Sequence, residues 1–90
     1  MYSIDFSPAA KESIQRFKKS NPSAYKKIVK LLQETHEHPR SGSGHPEPLI
    51  GGDGDLYSRR ITKKDRLVYR IYDDVVEVLI ISAEGHYEDR

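Results

Sequence analysis

Glu47 stands between two prolines, Arg60 and Arg66 flank a short basic turn, and His86 lies almost at the end of this 90-residue chain. A carboxylate, several arginines and a histidine gathered around one strand pair are side-chain types that can cut RNA without a metal ion. The stretch that must gather them is Leu56–Tyr72, LYSRRITKKDRLVYRIY. It holds six basic residues against one acid and reads as two strands around a turn.

Directly opposed residues share a face of a sheet, so parity predicts which side chains meet. Asp73-Asp74 as a two-residue turn pairs Tyr72 with Val75. Leu67, Tyr69 and Ile71 then lie beside Val76, Val78 and Ile80 on a core face, and Arg70 opposes Glu77 as a structural cross-strand ion pair. An odd-length loop centred on Lys63 pairs Arg60 with Arg66 and turns Ile61 inward. A two-residue Lys63-Lys64 loop would mix the faces. Arg60 and Arg66 are then like charges side by side, an arrangement that destabilises a sheet and invites an anion between them. The plain alternative is a pair of solvated surface arginines.

The elements before this stretch must hold Glu47 in place. Tyr2–Phe6 alternates as a first strand, with Tyr2, Ile4 and Phe6 on one side. Ser7-Pro8 is a helix start, and Ala10, Ile14 and Phe17 form the narrow apolar stripe of a helix from Pro8 to about Lys19. Asn21-Pro22 repeats the start signal. A second helix runs to about Glu37, with Tyr25, Ile28, Val29 and Leu32 as its buried face. The short joint predicts an antiparallel helical hairpin. Pro39 ends the second helix, and 40–45 (RSGSGH) is a loop. Proline pushes the residue before it towards extended geometry, so Glu47 sits on a stiff, non-helical backbone. Leu49-Ile50 is long enough for a brief strand before Gly51-Gly52-Asp53-Gly54 turns the chain. The class is α+β: a strand, a helix pair, then a twisted antiparallel sheet, within one domain spanning residues 1–90.

Composition narrows the remaining classes. The chain is 36% hydrophobic and 32% charged and has no cysteine, which excludes disulfides and thiolate metal sites. MYSIDFSP lacks the basic and apolar regions of a signal peptide, and the aliphatic run Val78–Ile81 is far too short to span a bilayer. The net charge of +1 is unevenly spread: Lys11 to Lys30 has seven basic residues and one acid, and Asp73 to Asp89 is acidic. Basic segments of this kind can face a polyanion, although solvated helix faces are the commoner case. His36 and His38, at i and i+2, do not present both rings to one metal while helical, and His45 is a loop histidine; no metal site is expected.

Four motifs in order carry a family resemblance: Gly44-His45-Pro46-Glu47-Pro48-Leu49, Tyr57-Ser58-Arg59-Arg60-Ile61-Thr62, Asp65-Arg66-Leu67-Val68-Tyr69, and Ser82-Ala83-Glu84-Gly85-His86-Tyr87. Together they resemble the YoeB/Txe toxins of the RelE/ParE superfamily of type II toxin–antitoxin systems, whose fold is RelE-like, or microbial-RNase-like. The resemblance spans almost the whole chain. It implies a cytoplasmic, ribosome-dependent messenger-RNA endoribonuclease that needs no cofactor and is held inactive by a YefM/Axe-type antitoxin. It also allows a homodimer.

Carried onto this sequence, the resemblance makes Glu47 the general base and His86 the general acid. Arg60 and Arg66 would stabilise the phosphorane-like transition state, and Tyr87 would orient the scissile phosphate. Arg59, Lys63 and Lys64 are the further residues expected to contact messenger or ribosomal RNA. The chemistry suits these types: a base takes the ribose 2′-OH proton, an acid protonates the departing 5′ oxygen, and guanidinium forks meet the growing charge on phosphorus oxygens. Attack by the substrate's own hydroxyl requires no metal. Two departures from the family pattern stand out: Ile50 where many relatives are basic, and Glu88-Asp89-Arg90 beyond the His-Tyr pair. The rival reading is a non-catalytic ParE-like toxin or a plain RNA-binding protein. It is disfavoured by the retained Glu47, Arg66 and His86 and by the lack of a base-stacking platform.

Overall fold

Two residues set the frame of the N-terminal half. In a computed structural model of the chain, which describes residues 1–49 and 55–85, Ser7 separates strand β1 (Ser3–Phe6) from helix α1 (Pro8–Ser20). Its Oγ accepts from the Ala10 amide at 3.0 Å, capping α1, and donates to the Ile81 carbonyl at 2.6 Å. Asn21 closes α1 and opens α2 (Pro22–Glu37). Its amide donates to Phe17 O at 2.8 Å, and its side chain accepts from the Ala24 amide at 3.3 Å. A proline at the first position of each helix fits this frame, because it lacks only an N–H that would have no helical partner.

The buried face of α2 is Ala24, Ile28, Leu31 and Thr35, rotated from the expected one. Val29 is 37% exposed, and Tyr25 and Leu32 are half-buried. Spacing i, i+4, i+7, i+11 is as helical as the expected set, and the small Ala24 and Thr35 let the helix approach its neighbours closely. The Thr35 hydroxyl is satisfied within the helix by Leu31 O at 2.7 Å.

The strands β2 (Glu47–Pro48), β3 (Leu56–Arg60), β4 (Arg66–Tyr72) and β5 (Glu77–Ser82) join β1 in one sheet, ordered β1-β5-β4-β3-β2 among the described residues. The architecture is α+β, as expected. The sheet is mixed, since β1 enters parallel to β5 while the other pairs are antiparallel. The brief strand expected at Leu49-Ile50 begins earlier, at Glu47, with Leu49 N still donating to Leu56 O at 2.9 Å. Ile50 and the 51–54 turn lie outside the described residues.

Arg60 faces Arg66 across the odd loop, and Ile61 is buried, as parity predicts. The next turn differs. Asp73–Val75 forms a 3-10 turn followed by Val76 at φ 54, so Tyr72 pairs with Glu77 instead of Val75. A two-residue hairpin turn needs positive φ at one or both of its positions, which Asp-Asp supplies poorly compared with Asn-Gly. The shift is two residues, so faces are preserved: Tyr69 opposes Ile80 and Ile71 opposes Val78. It does move Val76 out of the sheet, and it places Arg70 opposite Leu79, which overturns the expected Arg70–Glu77 pair.

The helices cover one sheet face, where Ile28, Leu31, Leu67, Tyr69, Ile71, Val78 and Ile80 are almost wholly buried. A second apolar cluster, Leu49, Leu56 and Val68 with Ile81 against it, lies apart from this core. The strand β4 therefore packs on both sides, apolar on one and half apolar, half cationic on the other.

Candidate active face of the sheet

Register places the expected residues together. Glu47 opposes Ser58, which opposes Val68, so these three form one row across the sheet. Arg60 and Arg66 form the next row on the same face, two residues further along each strand. Diagonal neighbours of this kind are separated by about 7–8 Å, a span that a long side chain or a bound phosphate can bridge. Leu49, Leu56 and Val68 continue the face as an apolar floor, a feature the sequence reading left out.

Glu47 and Arg60 are exposed and Arg66 is half-buried. The Arg66 Nη1 donates to the carbonyls of Thr62 at 3.1 Å, Lys63 at 3.3 Å and Asp65 at 3.3 Å. The loop thus fixes one corner of the guanidinium. Neither Arg60 nor Arg66 has a carboxylate partner among the described residues. Two arginines opposed in register, with no acid against them among the described residues, are an arrangement that can attract an anion. Lys63 and Lys64 are exposed on the connecting loop and extend the positive charge.

Arg59 departs from expectation. It is 0% exposed, so it is withdrawn from the RNA-contacting set. Its Nη1 donates to Ser43 O at 2.9 Å, its Nη2 to His38 O at 2.7 Å and Ser41 O at 2.8 Å, and its Nε to the Tyr69 hydroxyl at 3.0 Å. That hydroxyl donates onward to Pro39 O at 2.6 Å. Burial pushes the Tyr69 phenol above its ordinary pKa. Glu34 anchors the same loop by accepting from the Ser43 amide and hydroxyl, each at 2.6 Å, and lies 3.9 Å from Arg59. The Ser43 hydroxyl, then its amide, hold the Glu34 carboxyl below the usual carboxylate range. Gly44 completes the path: it accepts from the Arg60 amide at 2.7 Å, and a Cβ there would meet Leu31 Cδ2 at 2.9 Å. The chain then enters Pro46-Glu47-Pro48 on the edge of the sheet.

His36 does not combine with His38 and His45. Its Nδ1 lies 2.5 Å from Tyr2 O, and the Tyr2 amide donates to His36 O, tying the start of β1 to the end of α2. His86, Tyr87 and the Glu88-Asp89-Arg90 extension lie outside the described residues. The segment leading to them is placed beside Arg66, with the Arg66 amide donating to Gly85 O at 3.1 Å.

Residues 6–87 match the family described as YoeB-like toxin of bacterial type II toxin–antitoxin system. A relative named Toxin YoeB from Mycobacterium bovis is 39% identical over 87 residues, covering 97% of this chain and all of that one. Among solved structures, a YoeB dimer from Staphylococcus aureus superposes with a TM-score of 0.84 at 36% identity, covering 96% of this chain and 98% of that one. A YoeB–YefM complex from the same organism gives 0.80 at 36% identity, with 97% and 99% covered.

Proposed function

The chain belongs to the YoeB-like toxins of bacterial type II toxin–antitoxin systems, and we propose that it acts as a ribosome-dependent endoribonuclease on messenger RNA. The observation that carries this reading is the sheet face on which Glu47 lies one row from Arg60 and Arg66, which have no carboxylate partner among the described residues. Glu47 removes the 2′-OH proton, and the freed oxygen attacks the adjacent phosphorus. Arg60 and Arg66 hold the charge that builds on its non-bridging oxygens, and His86 delivers a proton to the 5′ oxygen as the P–O bond breaks. The products are a 2′,3′-cyclic phosphate and a 5′-hydroxyl end. Tyr87 orients the scissile phosphate, and Lys63 and Lys64 contact RNA.

The ribosome supplies the alignment of the strand, and the site of action is the cytoplasm. The partner in the resting cell is an antitoxin of the YefM kind, as in the Staphylococcus aureus complex. On this reading acidic residues of the antitoxin lie near Arg60 and Arg66. A homodimer, as in the Staphylococcus aureus structure, is the state of the free toxin. The test is expression without antitoxin, followed by mapping of message ends and single-turnover cleavage of naked and ribosome-bound RNA at matched salt. Growth arrest with cuts confined to translated message is expected. Equal rates on both RNAs would end the ribosome-dependent reading.

A further inference from the structure

A third residue stands at the sheet edge between Glu47 and Arg60. Glu47 opposes Ser58, and that register continued by two residues would set His45 opposite Arg60. The Arg60 amide donates to Gly44 O at 2.7 Å, so Gly44 and His45 together face one residue of β3. Such an irregularity re-aims the side chains around it and is common beside active sites. His45 is exposed, as are Glu47 and Arg60. Along the chain His45 and Glu47 are no more than about 7 Å apart. Across the edge, His45 is one strand spacing, about 5 Å, from the backbone of Arg60.

The backbone at His45 is held against its own preference. Its φ is 52, in a left-handed region that few residues with a side chain adopt. The proline that follows favours an extended predecessor instead. Both flanks are pinned. Arg59 Nη1 donates to Ser43 O at 2.9 Å, the Ser43 amide donates to Glu34 at 2.6 Å, and pairing with β3 holds Glu47. Gly42 and Gly44, at φ 113 and φ 81, use glycine for this kind of backbone, yet the next position carries an imidazole. Strain of this sort, maintained by its surroundings, clusters at functional sites.

We propose that His45 is a further catalytic residue: its ring N–H donates to a non-bridging oxygen of the phosphate held by Arg60 and Arg66. Its place two residues before Glu47 then sets the neighbouring ribose 2′-OH against the base. An imidazole carries one N–H in either neutral tautomer and two when protonated, so a donor is present in each form. This rests on the nuclease reading above.

The test uses His45→Gly, because glycine adopts φ 52 without steric cost and leaves room for free imidazole. The variant should keep a cooperative thermal transition. Its single-turnover cleavage on programmed ribosomes should fall by about 100-fold, the low end for losing one preorganised donor, since His45 is open to water. Added imidazole should restore a large part of that loss, saturably, and should not speed the unaltered protein. A residue needed only for the path of the loop would behave otherwise, because glycine suits that path at least as well. Unchanged cleavage by His45→Gly, or a loss that imidazole leaves untouched, overturns the role of His45 while the activity of the unaltered protein keeps the nuclease reading standing. An unaltered protein that cuts no ribosome-bound message overturns the nuclease reading, and the role of His45 with it.

Discussion

Arg59 and Tyr69 meet on the buried side of the sheet, with the guanidinium Nε 3.0 Å from the phenol oxygen. Between them they satisfy the carbonyls of His38, Pro39, Ser41 and Ser43, so a loop with no regular structure is held by side chains from β3 and β4. Removing Arg59 leaves three of those carbonyls without their donor in a dry place. Arg59→Ala should therefore destabilise the fold by about 3–5 kcal/mol, read as a fall in the urea midpoint. Arg59→Lys should recover only part of this, because one ammonium cannot reach all four acceptors. A surface arginine serving RNA alone would show almost no change in the melt.

Acid should loosen the same loop. Glu34 is held below its ordinary value of 4.5, first by the Ser43 hydroxyl and then by the Ser43 amide. A carboxylate whose folded pKa is depressed contributes stability that is complete above its unfolded pKa and is lost as pH falls through the folded one. Glu34→Gln should thus lower stability at about pH 7, and the gap to the unaltered protein should narrow as the pH falls through the depressed value of the folded carboxyl, below which both carry a neutral group. Glu84, lowered first by Ser13 and then by Arg16, adds to the acid sensitivity in the same direction. The measurement is the denaturation midpoint of both proteins across that range.

Much of this arrangement is legible in the sequence alone. The odd loop that sets Arg60 against Arg66 follows from keeping Ile61 and Leu67 on the core side, and both are buried. The same parity held the answer for Arg59. It opposes Leu67, so it had to lie on the helix-covered face, yet its charge invited a surface role. The apolar floor at Leu49, Leu56 and Val68 was signalled more faintly, by the apolar interruption of an otherwise cationic outer face. The hydrogen bond from the Gly85 amide to Asp65 Oδ1 was out of reach, because it joins two irregular segments and no periodicity reports on it. The β4–β5 turn departs from expectation because the shortest loop asks Asp-Asp for positive φ, where the backbone prefers a longer turn ending in Val76.

That turn makes its own prediction. Val76 lies at φ 54, a conformation that costs an L-residue about 1–2 kcal/mol and a β-branched one at the upper end. Its side chain is 45% exposed, so little packing offsets the strain. Val76→Gly or Val76→Asn should stabilise the protein by about 0.5–1 kcal/mol, since glycine's greater chain entropy takes back part of the gain. Thermal denaturation of the three proteins side by side decides it, and a lower midpoint for both variants would show that the valine has a packing role.

The last prediction separates charge from geometry on the exposed face. Glu47→Gln keeps the shape and the neighbouring prolines but removes the group that takes the proton, so single-turnover cleavage on programmed ribosomes should fall by about 100-fold or more. Glu47 is exposed at the sheet edge, so its thermal midpoint should stay within the change typical of a surface substitution, about 0.5 kcal/mol. Arg66→Lys preserves the positive charge. Its Nη1 contacts with Thr62, Lys63 and Asp65 carbonyls show that the loop orients the guanidinium, and an ammonium cannot keep those bonds while also presenting a planar fork to phosphate. Ribosome binding should therefore match that of the unaltered protein at each salt concentration while the chemical step slows by about 10- to 100-fold. Loss of binding with an unchanged chemical step would make Arg66 an electrostatic docking residue, and near-normal cleavage by Glu47→Gln would remove the base from the mechanism.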